Sequence, residues 1–241
     1  MTEKIINNIK IFHHDCVDST NKIALNMEKY QHLDTVVSDC QTAGRGRIGR
    51  EFFSYNGGLY MSVILDPIKI NIPLHLCTPS AALAVKKALA SRGIENIFVK
   101  WVNDLYMNRK KICGILSESR TVDSKIDRVV IGIGINLKMH KDGFPNDIAN
   151  KAGYADYDGD KLTLASDITK NICEYLSKTQ DEIISEYTDN MAWIGEKVTV
   201  TDYADSNKQI EGVILGVNSD CYLKIRTEDG CERLLFSGEI L

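Results

Sequence analysis

The sequence predicts an α+β protein in two units: a body with a mixed or antiparallel sheet over residues 1–190, and a small antiparallel barrel over residues 191–241. Three observations carry this. Five β-rich segments, "TVVSDC", "GLYMSVILD", "IFVKW", "KICGILSE" and "DRVVIGIGINLK", lie in the first 140 residues. Helical patterns stand between and after them, as an α+β body requires. Past Trp193 and Gly195 only short strands remain, divided by turn signals at Asn218–Asp220 and Asp229–Gly230.

Taken in order, "DSTNKIALNMEKY" opens with Ser19 and Thr20, two good helix caps, ahead of Ile23, Ala24 and Met27 at helical spacing. "TVVSDC" (Thr35 to Cys40) is a short β-branched strand feeding a glycine–arginine loop. "GLYMSVILD" is apolar enough to be buried on both faces. "TPSAALAVKKALASRG" is the clearest helix, with Thr78 as its cap, Pro79 in its first turn and Gly93 at its end. An acidic loop, "AGYADYDGD", precedes Leu164, Ile168, Ile172 and Leu176, whose spacing of four marks one core-facing helix stripe. The final unit holds about fifty residues and has little core of its own, so it is expected to lean on the body.

Composition excludes several classes. With 241 residues, 44% hydrophobic and 26% charged, the chain can bury a real core and is not disordered. No apolar run approaches the roughly 20 residues that cross a bilayer, and the N-terminus lacks the apolar block of a signal peptide. A net charge of −4 gives no general attraction to nucleic acid or membrane, so recognition of an anion must be local. Seven cysteines without a C-x-x-C pair read as reduced, mostly buried thiols of a cytoplasmic protein.

Three segments carry chemistry. In "GRGRIGR", Gly44, Gly46 and Gly49 allow a ligand close to the main chain, while Arg45, Arg47 and Arg50 offer planar forks for carboxylate or phosphate. Alone, it reads as a solvated basic loop or as an anion clamp. "KWVNDLYMNRKKICGIL" ends a strand at Lys100 and Trp101, turns through Asn103 and Asp104, and returns at Lys111. Asp104 and Lys111 can then both face a pocket mouth, although a surface hairpin with solvated charge fits the residues as well. In "VVIGIGINL", Gly132 and Gly134 share a face with Asn136 and leave it flat enough for a ring or backbone. As a lone G-x-G it is a weak dinucleotide signal, and close strand packing is an equal reading.

Jointly and in this order, "STN", "QTAGRGRIGR", "KWVNDLYMNRKKICGIL" and "GIGIN" resemble the biotin protein ligase family, also called biotin–[acetyl-CoA-carboxylase] ligase. The likeness covers about Asp15 to Leu137, and the terminal unit is similar to the SH3-like barrel that follows in that family. The resemblance implies a class II synthetase-like catalytic domain. It also implies a two-step reaction: biotin and ATP give biotinyl-5′-adenylate and pyrophosphate, then a lysine of a biotin carboxyl carrier protein takes the biotin and AMP leaves.

By position, the resemblance places Ser19, Thr20, Asn21 and Gln41 at the ureido end of biotin. It places Arg45, Gly46 and Arg47 in a loop folding over biotin and the adenylate, and Lys111 near the biotin carboxylate and α-phosphate. Gly114 to Leu116 line the biotin slot. Arg47, Arg50, Phe52, Asn103, Lys111 and Asn136 fall on the nucleotide side. Lys111, Arg45, Arg47 and Asp104 are the expected catalytic set, with Asp104 the candidate to orient the acceptor lysine and take its proton. No residue is assigned as a direct metal ligand; Mg²⁺ is expected with the ATP phosphates, near Asp104. Two departures stand out: Val102 replaces the usual proline of K-W-P-N-D, and Phe52 stands where the family often has tryptophan. The roughly 15 residues before "DSTN" are too few for the helix-turn-helix of some members, so no specific DNA binding is expected. Members can pair through their sheets into a homodimer, and "VVIGIGINL" lies where such an edge would be. The alternatives are a lipoate–protein ligase, against which the arginine loop argues, and a non-catalytic anion- or RNA-binding module, against which the negative net charge argues.

Overall fold

The computed structural model describes residues 1–241. It begins with a hairpin of β1 (Thr2–Ile6) and β2 (Ile9–Val17), turning on Asn7 and Asn8 at φ 52° and 66°. Two successive left-handed residues suit a two-residue turn, and asparagine tolerates them. The sequence reading passed over this hairpin, although Asn-Asn between apolar alternations is its signal. Next come α1 (Thr20–Asn26), β3 (Thr35–Gln41), β4 (Gly58–Leu65) and α2 (Cys77–Ala90). Then follow β5 (Ile97–Lys100), β6 (Asp104–Met107), β7 (Lys110–Val122) and β8 (Lys125–Asn136).

These eight strands form one sheet in the order β1-β2-β3-β4-β8-β7-β6-β5, mixed because only β2 and β3 run parallel. Val37, Val63 and Ile131 face α2 and α3 (Lys161–Tyr175) in the large core. Their neighbours Val36, Ile64 and Val130 face α1 in a second, smaller cluster. Helices on both faces explain why all eight residues of β4 are buried. The predicted stripe Leu164, Ile168, Ile172 and Leu176 is wholly in the core.

Four expectations are corrected. Thr78 does not cap α2: the chain enters from a 3₁₀ turn at Leu74–Leu76, already helical, and the Thr78 hydroxyl instead bonds Ser117 at 2.8 Å. Asp104 opens β6 rather than sitting in the turn. β8 is an interior strand between β4 and β7, so "VVIGIGINL" offers no edge; the edges are β1 and β5. Cys16 and Cys40 are not reduced: they oppose each other in the β2–β3 register, 4.8 Å apart at Cα, and are joined by a disulfide. Separation by 24 residues hides from spacing rules what the sheet places side by side. The remaining five are free, and Cys77, Cys113 and Cys221 are buried.

A helix not singled out from sequence, α4 (Gln180–Asp189), starts with a reciprocal capping box between Thr179 and Glu182, the T-x-x-E pattern. The terminal unit is a five-stranded antiparallel sheet of β9 (Lys197–Asp202), β10 (Lys208–Val217), β11 (Leu223–Arg226), β12 (Glu232–Leu235) and β13 (Gly238–Ile240), ordered β12-β11-β10-β9-β13. It leans on the body as expected: Val200, Ile214, Leu223, Ile225 and Ile240 join the large core, and the buried Trp101 indole donates to the Cys221 carbonyl at 2.8 Å.

Candidate active site

The pocket opens on the α1 face of the sheet. Its floor is the start of α1. Ser19 caps the helix and Thr20 and Asn21 follow, all buried. The Thr20 amide and hydroxyl both donate to Gln41 Oε1, at 2.8 and 3.1 Å, and Gln41 Nε2 donates to Ser54 Oγ at 3.0 Å. Ser62 Oγ, from β4, donates to Asn21 Oδ1 at 2.6 Å. Asn21 Nδ2 donates to the Leu116 carbonyl at 3.2 Å and to Glu118 Oε2 at 2.7 Å. This packing needs Gly132: a Cβ there would stand 2.1 Å from Asn21 Oδ1.

Gly134 is required in the same way. A Cβ there would lie 2.6 Å from the Phe52 ring, and one on Gly114 would lie 3.0 Å from it. The flat face foreseen from "GIGIN" is therefore real, and the ring lying on it is the protein's own Phe52. Lys111 Nζ sits 5.9 Å from the centre of that ring, within cation–π reach.

Above the floor, the arginine loop folds into a tight bend. Arg45 and Glu51 pair antiparallel through their backbones, the Gly46 amide donates to the Arg50 carbonyl at 2.7 Å, and Ile48 and Gly49 turn with φ of 55° and 70°. Its three guanidinium groups fan out to three elements. Arg45 reaches Glu118 of β7 at 3.0 Å, Arg47 reaches Asn103 Oδ1 at 3.1 Å, and Arg50 forms a two-pronged pair with Glu239 of β13 at 2.5 and 2.8 Å. Asn103 is itself fixed by donating to the Ile115 carbonyl at 3.0 Å. In the β6–β7 hairpin Lys111 Nζ stands 2.7 Å from Asp104 Oδ1, so both do face the pocket mouth.

Every predicted site residue but one lines this single pocket. The exception is Asn136, whose side chain turns to donate to the Gly153 carbonyl at 2.9 Å and is buried beneath the wall. Lining residues that were missed include Lys100 and, from the terminal unit, Tyr203, Gly238 and Glu239. Lys100 belongs to the K-W motif and was within reach of the sequence. The other three lie 66 residues or more beyond Leu137, where the last motif ends, and no local pattern announces them. The Arg50 guanidinium, helped by the Tyr203 hydroxyl, holds the Glu239 carboxyl down to about 2. Burial pushes the Lys100 ammonium below its ordinary value, with Asp104 and Glu239 opposing.

Five lining side chains are Arg or Lys and three are carboxylates, so the pocket favours an anion although the whole chain is acidic. Those carboxylates do not assemble a metal cage: no three His, Cys, Asp or Glu side chains cluster, and Asp104 is paired with Lys111. A Mg²⁺ ion here would depend on substrate phosphates for most of its ligands, as that ion commonly does. The arrangement thus joins a neutral, buried hydrogen-bonding end to a cationic end under a loop.

Comparison with known proteins agrees with this geometry. Residues 14–136 match the Biotin/lipoate A/B protein ligase family, and residues 193–241 match the Biotin protein ligase C terminal domain. The chain is 31% identical over 246 residues to the bifunctional ligase/repressor BirA of Bacillus spizizenii, covering 95% of this chain and 73% of that protein. It is 35% identical over 123 residues to the biotin–[acetyl-CoA-carboxylase] ligase of Paracoccus denitrificans, covering 50% of this chain and 51% of the other. Among solved structures, the Aquifex aeolicus biotin protein ligase in complex with biotin and ATP superposes with a TM-score of 0.82 at 29% identity, covering 96% of this chain and 97% of that one. The Leishmania major enzyme in complex with biotinyl-5-AMP gives 0.66 at 25% identity, covering 94% and 98%. The chain belongs to the biotin/lipoate protein ligase family and carries both the catalytic and the C-terminal domain of a biotin protein ligase.

Proposed function

We propose that this pocket joins biotin to ATP and passes the biotin to a lysine of a biotin carboxyl carrier protein, such as that of acetyl-CoA carboxylase. The observation that carries the reading is the convergence of Thr20, Asn21 and Gln41 with Arg45, Arg47 and Lys111 in one pocket paved by Gly114, Gly132 and Gly134. Buried neutral donors and acceptors suit a ureido ring, which carries both kinds of group and no charge. The glycine-flattened strands suit the bicyclic ring and its chain.

At the other end, one biotin carboxylate oxygen attacks the α-phosphorus and pyrophosphate departs. Two anions must approach, and charge gathers on the phosphate oxygens. Arg45, Arg47 and Lys111 supply fixed cations there, with Arg50 and Asn103 beside the nucleotide. Mg²⁺ supplies further charge neutralisation on the ATP phosphates. The loop then shields the mixed anhydride from water. In the second step the acceptor amine attacks the acyl carbon and AMP leaves. An ordinary lysine, with pKa about 10.4, must first lose a proton. Asp104, with one oxygen on Lys111, is our candidate to orient that amine and accept the proton. The catalytic unit is taken as residues 1–190 and the SH3-like unit as residues 191–241.

The test is pyrophosphate release by purified protein with ATP and Mg²⁺, adding biotin, lipoate or octanoate in turn. Biotin-dependent release together with a mass increase on one carrier lysine supports the reading. Release with lipoate alone overturns it in favour of a lipoate ligase, and release with none of the three removes the activity altogether.

A further inference from the structure

We propose that Glu118 is a positioning residue of this reaction, tying the biotin-binding floor to the arginine loop through one carboxylate oxygen. The proposal rests on the biotin ligase reading. Glu118 Oε2 accepts from Asn21 Nδ2 at 2.7 Å and from Arg45 Nη2 at 3.0 Å. Neither the loop motif nor the K-W-V-N-D motif contains it, and it lies behind the pocket wall rather than in it.

Its first effect is on Asn21. A side-chain amide presents an acceptor at one end and two donors at the other, and little distinguishes the two orientations sterically. An ionised carboxylate only accepts, so it fixes which end faces it. With one Nδ2 proton on Glu118 and the other on the Leu116 carbonyl, both donors are consumed. Oδ1 already takes the Ser62 hydroxyl at 2.6 Å and keeps one lone pair for the pocket. Asn21 thereby offers an acceptor and no donor, which selects a ligand that presents N–H there.

Its second effect is on the loop. Arg45 is 45% exposed at its side chain and Glu118 25%, so their pair is partly screened and exchangeable, a leash rather than a lock. Because both bonds end on one oxygen, settling Asn21 against a ligand and settling Arg45 over it draw on the same carboxylate.

The test compares Glu118→Gln with Glu118→Ala by biotin affinity (titration calorimetry), by release of biotinyl-adenylate without acceptor, and by melting temperature. Glutamine still offers Asn21 a carbonyl oxygen but no charge to Arg45. Biotin affinity should stay within about threefold of the parent while release rises about threefold to fivefold. Alanine removes both links, and biotin affinity should fall about tenfold as well. Arg45→Ala should release adenylate as Glu118→Gln does, and the Glu118→Gln/Arg45→Ala double variant no faster than Arg45→Ala alone. Unchanged release in Glu118→Gln, or multiplied effects in the double variant, overturns the leash. Unchanged biotin affinity in a folded Glu118→Ala overturns the orienting role. Should Glu118→Ala melt early, glutamine's failure to keep biotin affinity takes its place as the overturning result. Parent protein that binds no biotin brings down the biotin reading and this proposal with it, and that is seen before any variant is made.

Discussion

On the floor of the pocket Thr20 and Asn21 are 3% and 5% exposed and bonded to each other's neighbours; in the loop above, the side chains of Arg45 and Arg50 are 45% and 61% exposed and reach different elements. The floor is a network of uncharged side chains, backed by the Glu118 carboxylate, in a low-dielectric interior, where a lost partner leaves a buried group unsatisfied at about 1–3 kcal/mol. The loop is held by ion pairs that water screens to about 1 kcal/mol or less each. One region is built to keep its shape and the other to change partners. Recognition of an uncharged ring and enclosure of an anion need those two materials, in that order of depth.

The sharpest way to break this division is at Lys111, which stands between the two regions with its ammonium on Asp104. Lys111→Ala should slow adenylate formation about 10²- to 10³-fold, the range for losing one fixed charge aimed at a developing anion. Biotin affinity should change much less; stopped-flow pyrophosphate release and calorimetry separate the two. A comparable loss of both would make Lys111 part of the floor. Gly132→Ala attacks the floor itself. Its Cβ would meet Asn21 Oδ1 at 2.1 Å, so Asn21 must move and its three bonds break together. Biotin affinity should fall by more than about tenfold and stability by about 1–3 kcal/mol, whereas an unchanged affinity would mean that Asn21 does not carry recognition.

Asp104→Asn probes the seam between the steps and should have a smaller effect. Transfer to the carrier lysine should slow about tenfold or more, within the range of general base catalysis, with adenylate formation slowed less. Single-turnover assays with preformed adenylate measure the second step alone. Equal slowing of both would reduce Asp104 to a partner of Lys111.

The contrast between regions also explains what could be read in the chain. Arg45, Arg47, Lys111 and the paired glycines stand in short ordered motifs because one loop and one hairpin carry them. The alternation in β8 gave the flat face directly, since period two puts Gly132 and Gly134 on one side. It did not give Asn136 its role: the same register places it on that face, yet the Gly153 carbonyl takes its amide. Glu239 and Tyr203 were illegible for another reason. They enter through docking of the terminal sheet, a contact set by Trp101 and the shared core rather than by any pattern near residue 239. The Cys16–Cys40 pairing is of the same kind, a product of strand order. Thr78 failed as a cap because the preceding turn was already helical.

Glu239 supplies the gentlest test. Its carboxyl is held at about 2 in the folded protein by Arg50 and Tyr203, below the ordinary glutamate value of about 4.3. A folded-state value below the unfolded one means that stability from the pair is fully present above about pH 4.3 and drains away as pH falls toward 2. Because the Arg50 side chain is 61% exposed, screening limits the effect to about 1 kcal/mol or less. Glu239→Gln should therefore lower the melting temperature slightly at neutral pH, and the gap from the parent should close on acidification. It should also shrink in high salt, where Gly132→Ala keeps its full cost. A gap independent of both pH and salt would place Glu239 in the packed part of the molecule and move the boundary between the two regions outward to include Arg50.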